Sequence, residues 1–123
     1  MAKILVVDDS KFMRLTLSNY IEKKSNGKHQ VVGEAADDMN ALVQYKAVRP
    51  DVVTMDIIMP MESGLKAVKD IKAFDPSARI IMVSAMGQEK IVEEAKTLGA
   101  NGFITKPVKP EELLKEIDLV LAE

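Results

Sequence analysis

The sequence predicts an α/β fold, a doubly wound parallel sheet of five strands with five helices. Short apolar runs alternate five times with stretches whose apolar residues recur at helical spacing. Several of these runs are apolar throughout, which is typical of parallel strands that helices cover on both faces. The 123 residues, of which 47% are hydrophobic, suit one domain, and no long linker, repeat or low-complexity tract divides them.

The N-terminal third of the chain contains the first two predicted β-α units. The apolar run Lys3–Val7 predicts the first strand, and the helical stripe that follows extends from Lys11 to about Lys24. The sequence Ser25-Asn26-Gly27 predicts the end of that helix. Gln30–Ala35 predicts the second strand, and Ala41–Val48 carries the apolar stripe of the second helix.

The next two β-α units follow the same pattern. Asp51–Asp56 predicts the third strand, and the apolar residues of Ala67–Phe74 mark the third helix. Arg79–Ser84 predicts the fourth strand, and Ile91–Leu98 carries the stripe of the fourth helix. Gly99 directly after that stripe predicts the helix end, because glycine is the residue that most readily adopts the left-handed conformation found there.

The last unit completes the sheet. Gly102–Thr105 predicts the fifth strand, and Pro110 fits the first position of the last helix, with Glu111 and Glu112 near the positive end of the helix dipole. Right-handed crossovers place all of these strands in one parallel sheet. Such sheets bind ligands at the carboxyl ends of their strands, so the polar residues there are the candidates for function.

The composition excludes several classes of function. A net charge of −2 gives no electrostatic basis for binding DNA or RNA. The lack of cysteine excludes disulfides and thiolate metal sites, and the single histidine, His29, excludes a histidine-rich one. His29 lies in a lysine- and glycine-containing turn, where we expect it to be exposed. The apolar runs are too short to span a membrane and the N-terminus has no signal-peptide core, so we expect a cytoplasmic protein.

Polar side chains stand at the ends of four of the predicted strands. Asp8 and Asp9 follow the first strand, and Asp56 ends the third. Ser84 ends the fourth strand, and Lys106 follows the fifth. Asp56 is the most unusual, because it lies within the apolar run VVTMDIIMP and burying an unpaired carboxylate is costly. If the strand ends converge, Asp56 faces a cleft that it shares with two other carboxylates and an ammonium group.

Three carboxylates in one cleft indicate a hard divalent cation. They repel one another and raise at least one pKa, and a cation relieves that repulsion. Since neither histidine nor cysteine accompanies them, Mg²⁺ or Mn²⁺ is favoured over zinc. A carboxylate in such a site can attack phosphorus and form an acyl phosphate, with Lys106 neutralising charge and Ser84 donating a hydrogen bond. The simpler alternative is a polar turn at Asp8-Asp9 in which Ser10 caps the first helix.

Four segments of the chain resemble bacterial response-regulator receiver domains, in particular the stand-alone chemotaxis (CheY-like) type. The segments are ILVVDDSKFMR, VVTMDIIMP, IIMVSAMG and GFITKP, and they occur in this order on the five β-α units. The resemblance covers essentially the whole chain. It implies the strand order 2-1-3-4-5 and a single receiver domain over residues 1–123, with no residues left for an output domain.

The resemblance also implies a role for each residue of the predicted metal site. Asp56 resembles the family's phosphoacceptor. Asp9 resembles the direct Mg²⁺ ligand, and Asp8 resembles the acidic partner that usually binds the ion through water. The backbone carbonyl of Ile58 would be a further ligand.

The residues that the resemblance assigns to phosphoryl binding and switching lie at the fourth and fifth strands. Ser84 matches the hydroxyl position, and it would move toward the phosphoryl group together with the loop that starts at Ala85. Phe103 matches the aromatic switch position and would turn inward into the space vacated. Lys106 matches the family's lysine, and its peptide bond to Pro107 is implied to be cis.

The resemblance implies a signalling protein that catalyses its own phosphorylation and dephosphorylation rather than an enzyme. A sensor histidine kinase would supply the phosphoryl group, and phosphorylation would change binding to another protein. The first expected target is a flagellar motor switch protein. The second reading is a phosphorelay intermediate that passes the phosphoryl group to a histidine phosphotransfer protein.

Two rivals from other classes have weaker support. Phosphatases of the haloacid-dehalogenase type place their nucleophile after the first strand in a D-x-D arrangement. Here Asp8 and Asp9 are adjacent, and the candidate acceptor lies on the third strand. A flavodoxin-like FMN binder needs a small, hydroxyl-rich first loop, which this sequence lacks.

Overall fold

The structure, a computed structural model, describes residues 2–123. Five strands and five α-helices alternate along these residues. The strands are β1 (Ala2–Val7), β2 (His29–Ala35), β3 (Val52–Asp56), β4 (Ile80–Ser84) and β5 (Gly102–Thr105). The helices are α1 (Lys11–Lys23), α2 (Asp38–Val48), α3 (Ser63–Phe74), α4 (Glu89–Thr97) and α5 (Pro110–Leu121), and a short 3-10 helix, Pro60–Glu62, precedes α3.

All neighbouring strands in the sheet are parallel, in the order β2-β1-β3-β4-β5. The predicted fold class and strand order are therefore confirmed. β2 lies on one side of β1, and β3, β4 and β5 follow on the other side. The direction in which the chain adds strands therefore reverses between β1 and β3. Within residues 2–123, no helix combines the length and the apolar character that a membrane crossing requires.

The sheet is covered on both faces, which explains why β3 and β4 are buried at every position and are mostly apolar. One face packs against α2, α3 and α4, and the other packs against α1 and α5. Along β1, Leu5 and Val7 belong to the first core, whereas Ile4 and Val6 belong to the second. The rigid double core leaves the loops at the carboxyl ends of the strands as the place where polar groups meet.

Local sequence signals fix several of the helix ends. The Oγ atom of Ser10 accepts a hydrogen bond of 3.2 Å from the Met13 N–H and caps α1. Gly99 follows α4 with a φ of +106°, and the N–H of the next residue bonds back to the Ala95 carbonyl at 3.0 Å. Pro110 is the first residue of α5, as predicted.

The prediction that His29 is exposed is wrong. His29 is the first residue of β2, pairs with Ala2 of β1, and is only 2% exposed. Its Nε2 atom lies 3.1 Å from Oδ1 of Asp118 on α5. The preceding Gly27 and Lys28 suggested a turn, but the strand starts one residue earlier than predicted. The alternation of side chains along the strand then turns His29 toward α5.

Candidate functional site

The predicted site residues converge at the carboxyl edge of the sheet. One carboxylate oxygen from each of Asp8, Asp9 and Asp56 lies within 4.8 Å of the other two. The Nζ atom of Lys106 is 3.3 Å from Oδ1 of Asp56, and the Lys106 N–H donates a 2.6 Å hydrogen bond to the Ser84 carbonyl. The three carboxylates and the Lys106 ammonium group, which are far apart in the sequence, therefore form one cluster, and Ser84 lies beside it through its backbone.

Asp56 is buried at the end of β3 and held in one orientation. Only 3% of it is exposed. Its Oδ1 atom accepts a 3.1 Å hydrogen bond from the Ile58 N–H, in addition to the contact with Lys106. Ile58 itself is half exposed at the rim of the site. The predicted role of the Ile58 carbonyl as a metal ligand stays a prediction.

Asp8 is also buried, at 1% exposure, and hydrogen bonds to its backbone and its carboxylate orient it. Its N–H donates to the Ala35 carbonyl at 3.0 Å, and its Oδ1 atom accepts from the Ser10 N–H at 2.9 Å. Its Oδ2 atom is buried without a hydrogen-bond partner in the described part of the chain. Asp9, beside it, is exposed. A buried carboxylate oxygen without a donor is costly, and a cation held by the three carboxylates would satisfy it.

The electrostatics of the cluster also fit a cation. Burial raises the pKa of the Asp56 carboxyl, and the Asp9 charge raises it further, against the opposing effect of Lys106. Burial likewise raises the pKa of Asp8, with a smaller contribution from the Asp56 charge. The donor set consists of oxygen atoms alone, which suits Mg²⁺ or Mn²⁺. Without such an ion, the favourable contacts of Asp8 and Asp56 do not outweigh the cost of burying their negative charge.

Removing that charge is therefore expected to stabilise the metal-free fold. The Asp8→Asn variant keeps the Oδ1 acceptor for the Ser10 N–H but cannot ionise. In EDTA at pH 7, we expect its free energy of unfolding to exceed the parent's by about 1 kcal/mol. Because the pKa of Asp8 is raised on folding, the parent loses stability as the pH rises from about 4 through that raised pKa. Urea unfolding across this range should show a flatter pH dependence for the variant.

Asp75 provides a control, because replacing it with asparagine should change the stability in the opposite direction. The Tyr45 hydroxyl donates a 2.7 Å hydrogen bond to Oδ2 of Asp75 and holds the pKa of that carboxyl below its ordinary value. Its contribution to stability is present above the unfolded pKa of about 4 and is lost as the pH falls. Asp75→Asn should therefore destabilise the protein at pH 7. An Asp8→Asn variant that is less stable than the parent in EDTA would contradict the electrostatic account of the cluster.

The polar groups at the end of β4 differ in how firmly hydrogen bonds hold them. The Ser84 hydroxyl lies 3.5 Å from the Ile104 carbonyl, a long and weak hydrogen bond. The Ala85 N–H donates to Oε1 of Gln88 at 2.5 Å, so this side chain holds the loop before α4. Sequence reasoning did not single out Gln88, because a glutamine in a loop has no signal that tells which backbone amide it reaches.

Phe103 and Ser84 line the same groove between α4 and β5, with a volume of about 350 Å³. Phe103 is half-buried on β5, and the Nζ atom of Lys96 sits 5.4 Å from the centre of its ring. The peptide bond between Lys106 and Pro107 is cis. The groove is therefore a space shared by the Phe103 ring and the Ser84 hydroxyl.

Residues 4–118 match the family described as the response regulator receiver domain. The chain belongs to this family. This receiver domain is 46% identical over 121 residues to Protein CcdB of Bacillus subtilis, with 98% of each chain covered. It is 43% identical over 118 residues to the chemotaxis protein CheY of Thermotoga maritima, with 96% of each chain covered.

A solved structure agrees with this family assignment. A chain of the CheX-CheY-BeF3-Mg+2 complex from Borrelia burgdorferi superposes with a TM-score of 0.89 at 35% identity, covering 99% of this receiver domain and 90% of that chain. This receiver domain is thus a CheY-like signalling protein and not a metabolic enzyme, which removes the haloacid-dehalogenase and flavodoxin rivals.

Proposed function

We propose that this receiver domain is a phosphorylation-activated response regulator in which Asp56 accepts a phosphoryl group. The observation that carries the proposal is the cluster of three carboxylate oxygens within 4.8 Å, next to the Lys106 ammonium group. Asp8, Asp9 and Asp56 would hold Mg²⁺, with Mn²⁺ as a possible substitute. When bound, the ion would neutralise charge on the attacking carboxylate and on the phosphoryl oxygens.

The protein's own residues would mainly orient the reacting groups. The Ile58 N–H and the Lys106 ammonium fix the Asp56 carboxylate, so attack on phosphorus needs little further ordering. The new bond joins an Asp56 oxygen to phosphorus, and the bond from phosphorus to the donor nitrogen or oxygen breaks. Lys106 would stabilise the negative charge of the transferred group.

The phosphoryl group would then shift an equilibrium between two conformations. The weakly bound Ser84 hydroxyl is able to turn toward a phosphoryl oxygen. Movement of the loop that starts at Ala85 would let Phe103 turn inward along the groove that both side chains line. To move such an equilibrium from 1:99 to 99:1 requires about 5.5 kcal/mol of differential binding. The phosphoryl contacts of Ser84 and Lys106, together with the ion, would have to supply it.

The proposed donor is a sensor histidine kinase, and the proposed output is binding to a flagellar motor switch protein. The identity of 43% with a chemotaxis protein over nearly the whole of both chains supports this output. A relative at 46% identity does not carry a chemotaxis name, which favours keeping a histidine phosphotransfer protein as the second candidate partner.

Two experiments test this function. Acetyl phosphate with Mg²⁺ should add one phosphoryl group, seen by intact mass, and EDTA should prevent the addition. After treatment with beryllofluoride and Mg²⁺, the protein should be captured by a motor-switch peptide more strongly than by a histidine phosphotransfer protein. The reverse preference would favour the phosphorelay role, and no mass increase under any condition would contradict the proposed function.

Removing the charge of Lys106 should slow phosphorylation more than removing the charge of another lysine in the same loop. Lys106→Met keeps most of the apolar stem but removes the ammonium 3.3 Å from Asp56. We expect phosphorylation by acetyl phosphate to slow by about 100-fold, the typical effect of removing one preorganised donor. Lys109→Met is the matched control, because Lys109 is exposed and its side chain makes no capping hydrogen bond. Equal rates for the two variants would remove Lys106 from the mechanism.

A further inference from the structure

Arg14 makes two charge-assisted contacts directly behind the acidic cluster. It lies in the first turns of α1, and its side chain is 17% exposed. Its Nη1 atom donates a 2.7 Å hydrogen bond to the backbone carbonyl of Asp8, and its Nε atom donates a 3.0 Å hydrogen bond to Oε1 of Glu34 on β2. The planar guanidinium thus bridges α1, β2 and the loop that carries two of the three carboxylates.

The contact with Asp8 completes the restraint of that residue. β1 ends at Val7, so the carbonyl of Asp8 lies beyond the strand. With Arg14 in place, Asp8 is held at its N–H by the Ala35 carbonyl, at its carbonyl by Arg14, and at Oδ1 by the Ser10 N–H. Only the buried Oδ2 atom is left without a partner in the described residues, and Asp8 contributes one carboxylate oxygen to the acidic cluster.

The same contact also restrains the backbone of Asp9. The carbonyl of Asp8 and the N–H of Asp9 share one planar peptide unit, so fixing that carbonyl fixes the plane from which the Asp9 side chain departs. Outer groups that orient a metal ligand commonly change metal affinity by 10- to 100-fold when they are removed. Arg14 occupies that position for both ligands of the β1 loop, although its guanidinium touches neither carboxylate group.

We propose that Arg14 is a positioning residue that sets the divalent-cation affinity of the site through the Asp8–Asp9 peptide. The inference rests on the proposed function, because it concerns the same ion. For the effect of removing Arg14 on cation affinity, this inference predicts the opposite of what the loss of its charge alone predicts. Removing a positive charge near three carboxylates should by itself strengthen cation binding. Loss of positioning should weaken it.

The experiment uses Mn²⁺ as the probe. The free Mn²⁺ signal in electron paramagnetic resonance gives its dissociation constant for the parent and for Arg14→Met, Arg14→Lys and Glu34→Gln. We expect the Mn²⁺ dissociation constant of Arg14→Met to exceed the parent's by about tenfold or more. Arg14→Lys should also weaken binding, because a single ammonium cannot make both bonds of the guanidinium fork. Glu34→Gln keeps an acceptor for the Arg14 Nε–H, and its dissociation constant should stay within about threefold of the parent's.

Each outcome has a distinct meaning once circular dichroism has shown which variants are folded at the working temperature. Unchanged or tighter Mn²⁺ binding by folded Arg14→Met, or by Arg14→Lys if the methionine variant does not fold, would overturn the inference. A lower melting temperature without a change in affinity would do the same, since it would show a role in stability alone. If the parent itself fails to bind Mn²⁺ or to be phosphorylated, the proposed function fails instead.

Discussion

Replacing Asp56 with asparagine is expected to abolish phosphorylation by acetyl phosphate and by a histidine kinase. The asparagine keeps an oxygen that can accept the 3.1 Å hydrogen bond from the Ile58 N–H, so the loop after β3 should retain its shape. The neutral amide is a far weaker nucleophile than the carboxylate, and it does not attract a cation. Intact mass after incubation with Mg²⁺ should show one added phosphoryl group in the parent and none in the variant.

Asp9→Asn separates acceptance of the phosphoryl group from metal binding. Asp9 belongs to the same cluster but is exposed, and its replacement leaves the Asp56 carboxylate and Lys106 in place. We expect this variant to be phosphorylated slowly, with a higher Mg²⁺ requirement than the parent. For the Asp56→Asn variant described above, a phosphoryl group gained at the parent's rate would show that the acceptor is another residue.

Replacing Gly64 with alanine is expected to give the largest loss of stability among these substitutions. Gly64 lies in the first turn of α3, where helix propensity alone would make alanine stabilising by about 1 kcal/mol. An added Cβ would lie 2.5 Å from the Asp56 carbonyl oxygen and 3.1 Å from the Ile57 carbonyl oxygen. Backbone atoms cannot rotate out of the way as a side chain can, so we expect a net destabilisation of about 2–3 kcal/mol.

The same clash should disturb the site, because the atom displaced belongs to the backbone of Asp56. Urea unfolding gives the change in stability, and Mg²⁺ titration of the folded variant should show weakened binding. Gly27→Ala is the control: Gly27 has a φ of +79° but nothing within 4 Å of the added Cβ. It should cost about 1 kcal/mol through backbone strain and leave Mg²⁺ binding unchanged. A Gly64→Ala variant as stable as the parent would refute the steric argument.

Much of the architecture could be predicted because its signals are local. The apolar runs give each strand to within one or two residues, and Ser10, Gly99 and Pro110 mark helix ends at the positions where the structure has them. The convergence of Asp8 and Asp56 was predictable for a more general reason. In a parallel sheet all strands end at the same edge, so residues at strand ends meet without any knowledge of side-chain packing.

The remaining features depend on contacts between distant parts of the chain. His29 has polar neighbours in the sequence, and only its pairing with β1 and its contact with α5 make it buried. Gln88 and Arg14 each bond to one particular backbone atom, which residue type and spacing do not specify. The approach of Gly64 to the Asp56 carbonyl is likewise a property of the folded loop.

The central claim is that Asp8, Asp9 and Asp56 form one divalent-cation site around the phosphoacceptor. Titration with Mg²⁺ at constant ionic strength, followed by the backbone amide resonances of these three residues in nuclear magnetic resonance spectra, tests it most directly. We predict that all three resonances shift and saturate together, with one dissociation constant and one ion per chain. Resonances that respond at different Mg²⁺ concentrations, or shifts confined to Asp9 alone, would contradict a shared site.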